Sequence, residues 1–357
     1  MINLSLNIKS INMKNNIIYY YFLSLLFIAC TKNDTTKILV DLSKHQNEIY
    51  LSDFIDSTKF LTLDMRDSCL ISEIEHVYVD SNFIIIQDGG GNGIFIFDEQ
   101  HRFRNRINNY GRGPGEYIRI TNTSINLADH QIGIYDSTSE KIVIFSYTGD
   151  FIKEIPIEQD IIRDFAFTGN QQFIFMRPSF SSNKEKNGIW IVDSNAQFVK
   201  HLYHAKPKNK TEPFFSSNYR NSINNQEITF YDRLTDQFLQ INQDTAICIY
   251  EFNLLDQMPQ SLKNTPTFTI NEYYIASCFY NMPKHLLVCY VSQKGYYWML
   301  FNKITRTLKI APKIVNDISK TKIESFPLFL NENILAFELP MEESDCNIRL
   351  ELLYTKQ

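Results

Sequence analysis

The sequence predicts an all-β fold, a six-bladed β-propeller built from four-stranded antiparallel blades. Short apolar runs rich in β-branched and aromatic residues recur along most of the 357-residue chain, separated by Asp, Asn, Ser, Gly and Lys. A unit of two such runs joined by a turn recurs along the chain, and one further run near the start has no partner beside it. These observations predict a closed ring of similar blades.

The repeated unit has six copies. In chain order they are NFIIIQDGGGNGIFIFDE (82–99), QIGIYDSTSEKIVIFS (131–146), QFIFM continuing to GIWIVDS (172–194), EITFYDRLTDQFLQIN (227–242), HLLVCYVSQKGYYWMLFN (285–302) and NILAFELPMEESDCNIRLELLY (333–354). The first strands of the copies are about 40 to 58 residues apart, which is close to one four-stranded propeller blade of about 40–50 residues.

Flanking apolar runs supply the remaining strands of most blades. The predicted inner strands are residues 76–80, 123–128, 165–169, 273–280 and 326–330. The predicted outer strands are residues 102–107, 150–157, 197–203, 246–252 and 306–314.

The two ends of the chain are predicted to complete one blade together. The sixth copy ends at Gln357 without a fourth strand, while the run at 59–64 stands alone before the first blade. Pairing them closes the ring and leaves no large open sheet edge. Two stacked β-sandwiches are the alternative, but the period and the spare first strand favour the propeller.

The N-terminus has the pattern of an export signal. An uncharged apolar run, IIYYYFLSLLFIA (17–29), follows Lys9 and Lys14, and no acidic residue precedes Asp34. The run is shorter than the ~20 residues that span a bilayer. It ends in FIAC, which resembles a bacterial lipobox, so we expect Cys30 to be lipidated after cleavage. A plain signal peptide with an incidental cysteine is the alternative.

These observations predict three segments. Residues 1–29 form the signal peptide, residues 30–50 a lipid-anchor linker and residues 51–357 the propeller. Cleavage removes two lysines and no acidic residue, so the formal net charge of −5 becomes −7. A mildly acidic chain without a basic cluster is a poor nucleic-acid binder, because neutralising phosphates needs grouped Lys and Arg.

The cysteines do not predict a metal site. There are six, and if Cys30 carries lipid the remaining five cannot all pair. No CxxC pair occurs, so a structural zinc site has no support, and we predict no metal and no cofactor. Cys248, Cys278 and Cys289 lie in apolar strand-like runs and are predicted to be small buried hydrophobic residues.

The segment YGRGPGEY (110–117) resembles a phosphate-binding loop but lacks its context. Such a loop needs a following helix and a Lys-Ser/Thr pair, whereas a strand follows here. We therefore predict a structural corner between blades one and two, in which Pro114 restricts Gly113 while Gly111 and Gly115 accept positive φ. Its residues are Gly111, Arg112, Gly113, Pro114, Gly115, Glu116 and Tyr117.

Two side chains of this corner have predicted partners. Glu116 is expected to accept hydrogen bonds from backbone amides of the corner, and Tyr117 to pack between the blades. The alternative places Arg112 and Glu116 at a ligand site near the channel mouth.

Other candidate sites have structural explanations. GGGNG (89–93) is predicted to be a hairpin loop. Asp88, Asp136 and Asp232 end equivalent strands and are expected to make local turn hydrogen bonds rather than ring the channel or bind calcium. His201 and His204 are predicted to lie on opposite strand faces, where they would not chelate one metal.

Two long polar segments are the predicted partner surfaces. Residues 177–188 and 204–226 exceed ordinary blade loops in length, and the second carries several aromatic residues. Flexible loops without a partner are the alternative.

Residues 60–117 carry a family resemblance. The stretch FLTLD, then LISEI, a pair of strands and GRGPGEY (111–117) resembles the opening of the six-bladed β-propeller lipoproteins of Bacteroidetes, with GxGPGEY as a signature. The similarity is dense over residues 60–157 and architectural afterwards. The resemblance implies a propeller on an exported lipoprotein without a known activity, and some relatives accompany small secreted peptides or glycan-use systems.

The sequence therefore predicts a binding or scaffold protein of the cell envelope, anchored by lipid in the outer membrane. A peptide, a glycan or an envelope protein is the expected partner, and nucleic acid is not. The alternative is a propeller hydrolase or lyase with a metal in its central channel, but no HExxH or GxSxG motif supports catalysis.

Overall fold

The structure is a computed structural model. It describes residues 36–64, 71–80, 82–157, 162, 164–168, 171–177, 188–204, 220–224, 227–232, 236–242, 244–255, 273–340 and 348–357. The chain divides into two compact units, Met1–Thr36 and Lys37–Gln357. The predicted signal peptide and Cys30 lie outside the described residues.

The described part of the chain is all-β, with two 3-10 turns and no α-helix. The 3-10 turns are Leu42–Lys44 and Leu51–Asp53. In chain order the strands are β1 (Thr36–Val40), β2 (Ile49–Tyr50), β3 (Ile55–Leu63), β4 (Ile74–Val79), β5 (Phe83–Asp88), β6 (Gly93–Asp98), β7 (Phe103–Ile107), β8 (Asn122–Asn126), β9 (Gln131–Asp136), β10 (Lys141–Ser146), β11 (Phe151–Pro156), β12 (Asp164–Phe167), β13 (Phe173–Arg177), β14 (Gly188–Val192), β15 (Phe198–His204), β16 (Arg220–Asn224), β17 (Glu227–Asp232), β18 (Gln237–Ile241), β19 (Ala246–Leu254), β20 (Ile275–Asn281), β21 (His285–Ser292), β22 (Gly295–Asn302), β23 (Leu308–Ala311), β24 (Ile314–Val315), β25 (Leu328–Asn331), β26 (Ile334–Glu338) and β27 (Ile348–Thr355).

These strands form the predicted six-bladed β-propeller. Blades one to five are the antiparallel sheets β4–β7, β8–β11, β12–β15, β16–β19 and β20–β23, and blade six combines β25, β26 and β27 with β3. The first strands of neighbouring blades contact one another, as β25 with β4, β8 with β12 and β16 with β20 do, so these strands line the ring's centre.

Blade six closes the ring as predicted. Strand β3 pairs with β27 along its whole length, from Leu63 opposite Ile348 to Ile55 opposite Thr355. The first and last parts of the propeller therefore share one sheet, and neither strand presents an open edge toward the other.

Residues before the predicted start of the propeller at residue 51 also form strands. Strand β1 pairs with β19 as a fifth strand of blade four, and β2 pairs in parallel with β24, with Ile49 opposite Ile314. Val40 and Ile49 are fully buried. The apolar run KILV is too short to predict a strand by itself, and its burial depends on the edge of blade four that it covers.

The inner strand of blade four was also not predicted. Strand β16 lies within the segment 204–226 that the sequence suggested as a partner surface, and it pairs with β17 from Arg220 opposite Phe230. Its sequence, RNSIN, has low strand propensity. The pairing with a neighbouring strand, rather than local preference, defines this element.

The core lies between the blades. Buried apolar clusters fill each gap between adjacent blades, from blades one and two around to blades six and one. Strand β6 shows why the strand sequences are continuously apolar. Ile94 and Ile96 pack toward blade two, while Phe95 and Phe97 pack toward blade six. Successive side chains point to opposite faces of a strand, so a blade between two others buries both.

Candidate functional site

The propeller has two unlike faces. Each blade is an antiparallel meander, so the links between blades and the hairpins between second and third strands share one face, here the connection face. In blades one and two it comprises residues 89–92, 108–121 and 137–140. The opposite face, here the hairpin face, carries the other turns of each blade, among them residues 99–102, 127–130 and 147–150.

The links on the two faces differ in length. On the hairpin face the strands of a blade are joined by about two to five residues, as tight turns require. On the connection face the links between blades run from about seven to about twenty residues. Long loops held on a rigid scaffold are the usual place for binding, so the connection face is the candidate site.

The GRGPGEY corner crosses the connection face from blade one to blade two. Gly111 N donates to the carbonyl oxygen of Tyr117 at 3.0 Å, and Tyr117 N donates to that of Asn109 at 2.9 Å. The Tyr117 ring is fully buried between blades one and two, and its hydroxyl donates to the Ile107 carbonyl oxygen at 3.1 Å. The expected packing of Tyr117 is present, and it ties the corner to the core.

Glu116 turns its carboxylate into the same corner. Its Oε2 accepts a hydrogen bond from Gly113 N at 2.7 Å, as expected from the sequence. A Cβ on Gly111 would overlap this carboxylate, whereas Gly115 has a φ of 73°. The expected positive φ is therefore found at Gly115, while Gly111 is needed because Glu116 approaches closely.

Arg112 points away from this network. It is exposed and makes no ion pair or hydrogen bond with the residues that the structure describes. Glu116 bonds within the corner whereas Arg112 is exposed, and a ligand site shared by the two stays a prediction. A ligand contact by Arg112 alone stays a prediction.

The structure places the two glycine-rich segments side by side, which the sequence did not predict. The Tyr110 hydroxyl donates to the Gly91 carbonyl oxygen at 2.6 Å, and Arg106 Nε donates to that of Asn92 at 2.5 Å. The GGGNG segment is the predicted hairpin between β5 and β6. The hairpin and the corner therefore form one continuous surface.

Buried aspartates anchor the connections to the blades. Asp88 accepts hydrogen bonds from Ser72 N, Glu73 N and Asn92 N at 2.7, 3.0 and 2.7 Å. Asp136 accepts from Ile118 N at 2.7 Å, just before β8, and from the 137–140 hairpin. Burial raises the pKa of both carboxyls, but the donated hydrogen bonds outweigh it, so each pKa lies below its usual value.

Asp232 ends the equivalent strand of blade four and accepts a hydrogen bond from a neighbouring blade. Its Oδ2 accepts a hydrogen bond from the Tyr203 hydroxyl of blade three at 2.6 Å. Within the described ranges, no three His, Cys, Asp or Glu side chains lie close enough together to hold a metal ion. The hydrolase or lyase alternative stays a prediction.

Two acidic residues at the channel mouth were not singled out from the sequence. Burial and the charge of Glu73 raise the pKa of Glu338, which ends the second strand of blade six where Asp88 ends that of blade one. Burial also raises the pKa of Glu75, against a 2.5 Å hydrogen bond from Gln87. The sequence could have pointed to Glu338, because it occupies the repeat position of Asp88. No pattern in the sequence points to Glu75.

A polar chain runs inward from Glu75. Gln87 Oε1 accepts from Thr123 Oγ1 at 2.8 Å, and Thr123 Oγ1 lies 2.7 Å from the Tyr78 hydroxyl. Gln87 and Thr123 are buried. The chain joins β4 and β5 of blade one to β8 of blade two, so it links the two blades beneath the mouth.

The prediction for His201 and His204 is wrong. Their rings lie on the same side of β15, with centroids 4.1 Å apart. Trp190 pairs with His201 but Ile189 pairs with Tyr203, so Leu202 is an extra residue. This β-bulge breaks the alternation of side chains that the prediction assumed.

The predicted partner segments are only partly described. Residues 178–187 and 205–219 lie outside the described residues. Throughout the part of the chain that is described, no helix is long and apolar enough to cross a membrane.

Comparisons with known proteins support the fold and a family. A family model described as a domain of unknown function, DUF4934, matches residues 35–348. The crystal structure of a candidate exported protein from Bacteroides fragilis is similar at 16% identity and a TM-score of 0.72, covering 90% of this chain and 100% of that one. A member of the DUF4221 family from Bacteroides vulgatus is similar at 9% identity and a TM-score of 0.53, covering 85% and 98%. No curated protein matches the sequence.

Proposed function

The chain belongs to the family described as DUF4934, a domain of unknown function, and on this premise we propose that it is a binding or scaffold protein of the bacterial cell envelope. Its connection face contacts a peptide, a glycan or another envelope protein. Similarity to an exported Bacteroides candidate supports the envelope location. The conclusion is about binding, and no reaction is assigned.

The observation that carries this proposal is the unequal construction of the two faces. The connection face displays long links, yet buried groups such as Asp88, Asp136 and Tyr117 hold the described ones in place. A binding surface that is already ordered loses less conformational entropy when a partner binds. Arg112 and Tyr110 are exposed on this ordered surface, and Arg and Tyr are residues that interfaces favour.

The anchor belongs to the same proposal. Cys30 at the end of the apolar run is lipidated, and the lipid holds the propeller at the outer membrane. Cys30→Ala should move the protein from the membrane fraction to the soluble envelope fraction. Cys69→Ala is the matched control and should stay with the membrane. Retention of Cys30→Ala in the membrane would contradict the anchor without affecting the binding proposal.

The binding face is tested by photo-crosslinking in cells. A photoreactive amino acid replaces Arg112 on the connection face or, as the matched control, the exposed Arg306 in a hairpin-face turn. We expect a discrete crosslinked adduct from position 112 and none from position 306. Adducts of equal yield at both positions, or from position 306 alone, would reject the connection face as the binding surface.

Charge reversal provides a second measurement. Arg112→Glu should reduce the yield of an adduct formed from a photoreactive residue at position 110, while Arg306→Glu should leave it unchanged. Both arginines are exposed, so neither substitution is expected to change stability by more than about 0.5 kcal/mol. Loss of the adduct in both variants would indicate a general charge effect instead of a local contact.

A further inference from the structure

Cys278 and Cys289 face each other within blade five. They are Cα partners in the antiparallel pair of β20 and β21. Directly opposite residues in such a pair have Cα atoms about 4.5–5.5 Å apart and side chains on the same face. A disulfide needs Cα atoms about 4.4–6.8 Å apart. The backbone therefore already has the geometry of a cross-strand disulfide.

The two sulfurs already interact as thiols. The thiol of Cys289 hydrogen-bonds to the sulfur of Cys278, which lowers the pKa of Cys278 despite its burial. The same hydrogen bond, together with burial, raises the pKa of Cys289. The Tyr280 hydroxyl lies 3.6 Å from the Cys278 sulfur and donates to the Pro327 carbonyl oxygen at 2.6 Å. The Cys278 sulfur is therefore the acceptor of the hydrogen bond between the two thiols.

The two cysteines also differ in how much solvent reaches them. Cys289 is fully buried, with Trp298 of the third strand opposite it on its other side. Cys278 lies on the first strand of the blade, beside the channel, and is half-buried. A reagent from solvent therefore reaches Cys278 before the buried Cys289.

From this geometry we infer that Cys278 and Cys289 form an oxidation site, where a cross-strand disulfide closes within blade five. The oxidant is a disulfide, either a small one such as oxidised glutathione or that of a thiol oxidoreductase. The inference concerns a covalent modification beyond the proposed binding function, and the cellular location determines only which oxidant is met.

The reaction is a two-step thiol–disulfide exchange. The Cys278 thiolate attacks one sulfur of the oxidant, forms a mixed disulfide and releases one thiolate. The Cys289 sulfur then attacks the Cys278 sulfur, forms the intrachain bond and releases the second thiolate. The protons of both cysteines end on the two released thiols, so the two protein sulfurs lose two electrons and the oxidant gains two.

Cys248 is the matched control. It is half-buried in a strand of blade four, like Cys278 in blade five, but its cross-strand neighbour is Leu239. No cysteine is therefore available opposite it to complete an exchange. Comparison of the two sites separates a built pair from general reactivity of strand cysteines.

The test uses the purified full chain, reduced and then incubated with oxidised glutathione. Trypsin cleaves after Lys284, so Cys278 and Cys289 lie in separate peptides, 264–284 and 285–294. We expect these peptides to become linked, with a mass about 2 Da below their sum. Cys248→Ser should form the same link to the same extent.

Two variants establish the order of the steps. Cys289→Ser should accumulate a glutathione adduct on Cys278, whereas Cys278→Ser should leave Cys289 unmodified, because it is buried. Peptides 264–284 and 285–294 that stay unlinked in the wild-type chain would overturn the inference. So would linkage of Cys278 to Cys69 or Cys346 in their place. The wild-type result decides even if a variant fails to fold.

Discussion

The carboxylates and amides of the two faces accept hydrogen bonds over very different sequence distances. On the hairpin face, Asp193 accepts from Asn195 N and Gln197 N, and Asn302 accepts from Ile304 N and Thr305 N. On the connection face, Asp136 accepts from Ile118 N, 18 residues away. These hairpin-face turns therefore bond within themselves, although Lys200 also donates to Asp244 across two blades, whereas on the connection face Asp136 joins separate segments.

This difference gives the propeller one face of short local turns and one face of long anchored links. Local turns depend only on two to five consecutive residues, so they can form wherever the sequence supplies Asp, Asn or Ser. Long links need anchoring from the blades, and Asp88, Asp136 and Tyr117 supply it. Substitutions in the anchors should therefore cost more than substitutions in the turns.

The largest effect is expected from Gly93→Ala in the GGGNG hairpin. Gly93 has a φ of 105°, and a Cβ there would overlap the Ile107 carbonyl oxygen, which is backbone and cannot easily move. We expect a loss of about 4 kcal/mol in the free energy of unfolding, measured by urea denaturation.

Gly91→Ala is the control for Gly93→Ala. Gly91 also has a positive φ, 86°, but a Cβ there meets nothing within 4 Å. It should lose only about 1–2 kcal/mol from backbone strain. Equal losses in the two variants would show that the close approach of the Ile107 carbonyl oxygen to Gly93 is unimportant.

Asp136→Ala should have the next largest effect. It leaves the amides of Ile118, Thr138 and Ser139 without their acceptor at a fully buried position. We expect a loss of about 3 kcal/mol in the free energy of unfolding. Asp193→Ala on the hairpin face should lose about 1 kcal/mol, because the amides of Asn195 and Gln197, which are exposed, can bind water instead. A larger loss at Asp193 would reverse the comparison.

His285 gives the hairpin face a pH dependence of its own. Burial, together with the nearby charges of Lys356 and Lys303, lowers its pKa from 6.5 to about 4. The unfolded chain therefore binds a proton that the folded chain does not between pH 6.5 and 4. Stability is fully present above pH 6.5 and falls as the pH drops toward 4, by about 2–3 kcal/mol.

The measurement is urea denaturation at several pH values, with His285→Gln as the control. The variant should lose most of this dependence between pH 6.5 and 4. The lowered pKa values of Asp88 and Asp136 affect a lower pH range. Their stabilisation is present above pH 3.8 and is lost as the pH falls through their folded-state pKa values. A wild-type curve that stays flat from pH 6.5 to 4 would contradict the role of His285.

The smallest effect is expected from Tyr110→Phe. The substitution removes the hydrogen bond to the Gly91 carbonyl oxygen but keeps the ring against Tyr117, at 4.9 Å between centroids. Tyr110 is 44% exposed, so water can replace the lost donor, and we expect less than about 1 kcal/mol by denaturation. A loss as large as that of Asp136→Ala would mean that Tyr110 is itself an anchor.

The elements that the sequence predicted well are those with a local signal. The second and third strands of the blades are apolar at successive positions, because their side chains pack in turn against the blade on either side. Strand β6 is an example. The closing strand β3 was predicted because it had no local partner. The tight turns between the strands were equally visible, since each requires only a few residues of the right type.

The elements that the sequence missed are defined by contacts with distant segments. Strand β1 exists because it covers the edge of blade four, and β16 because β17 pairs with it. A bulge at Leu202, invisible in the sequence pattern, places His201 against His204. Glu75 was missed because it is tied to the channel mouth by a hydrogen bond from Gln87, which in turn bonds to Thr123 of blade two.

The all-β class, the number of blades and the closing strand could be predicted from the sequence, because they follow from the period of apolar residues and from local turn chemistry. The contact of the GRGPGEY corner with the GGGNG hairpin and the pairing of Cys278 with Cys289 are visible only in the folded structure. Those neighbours come from segments whose distance in space is set by the ring, and no local pattern records that distance.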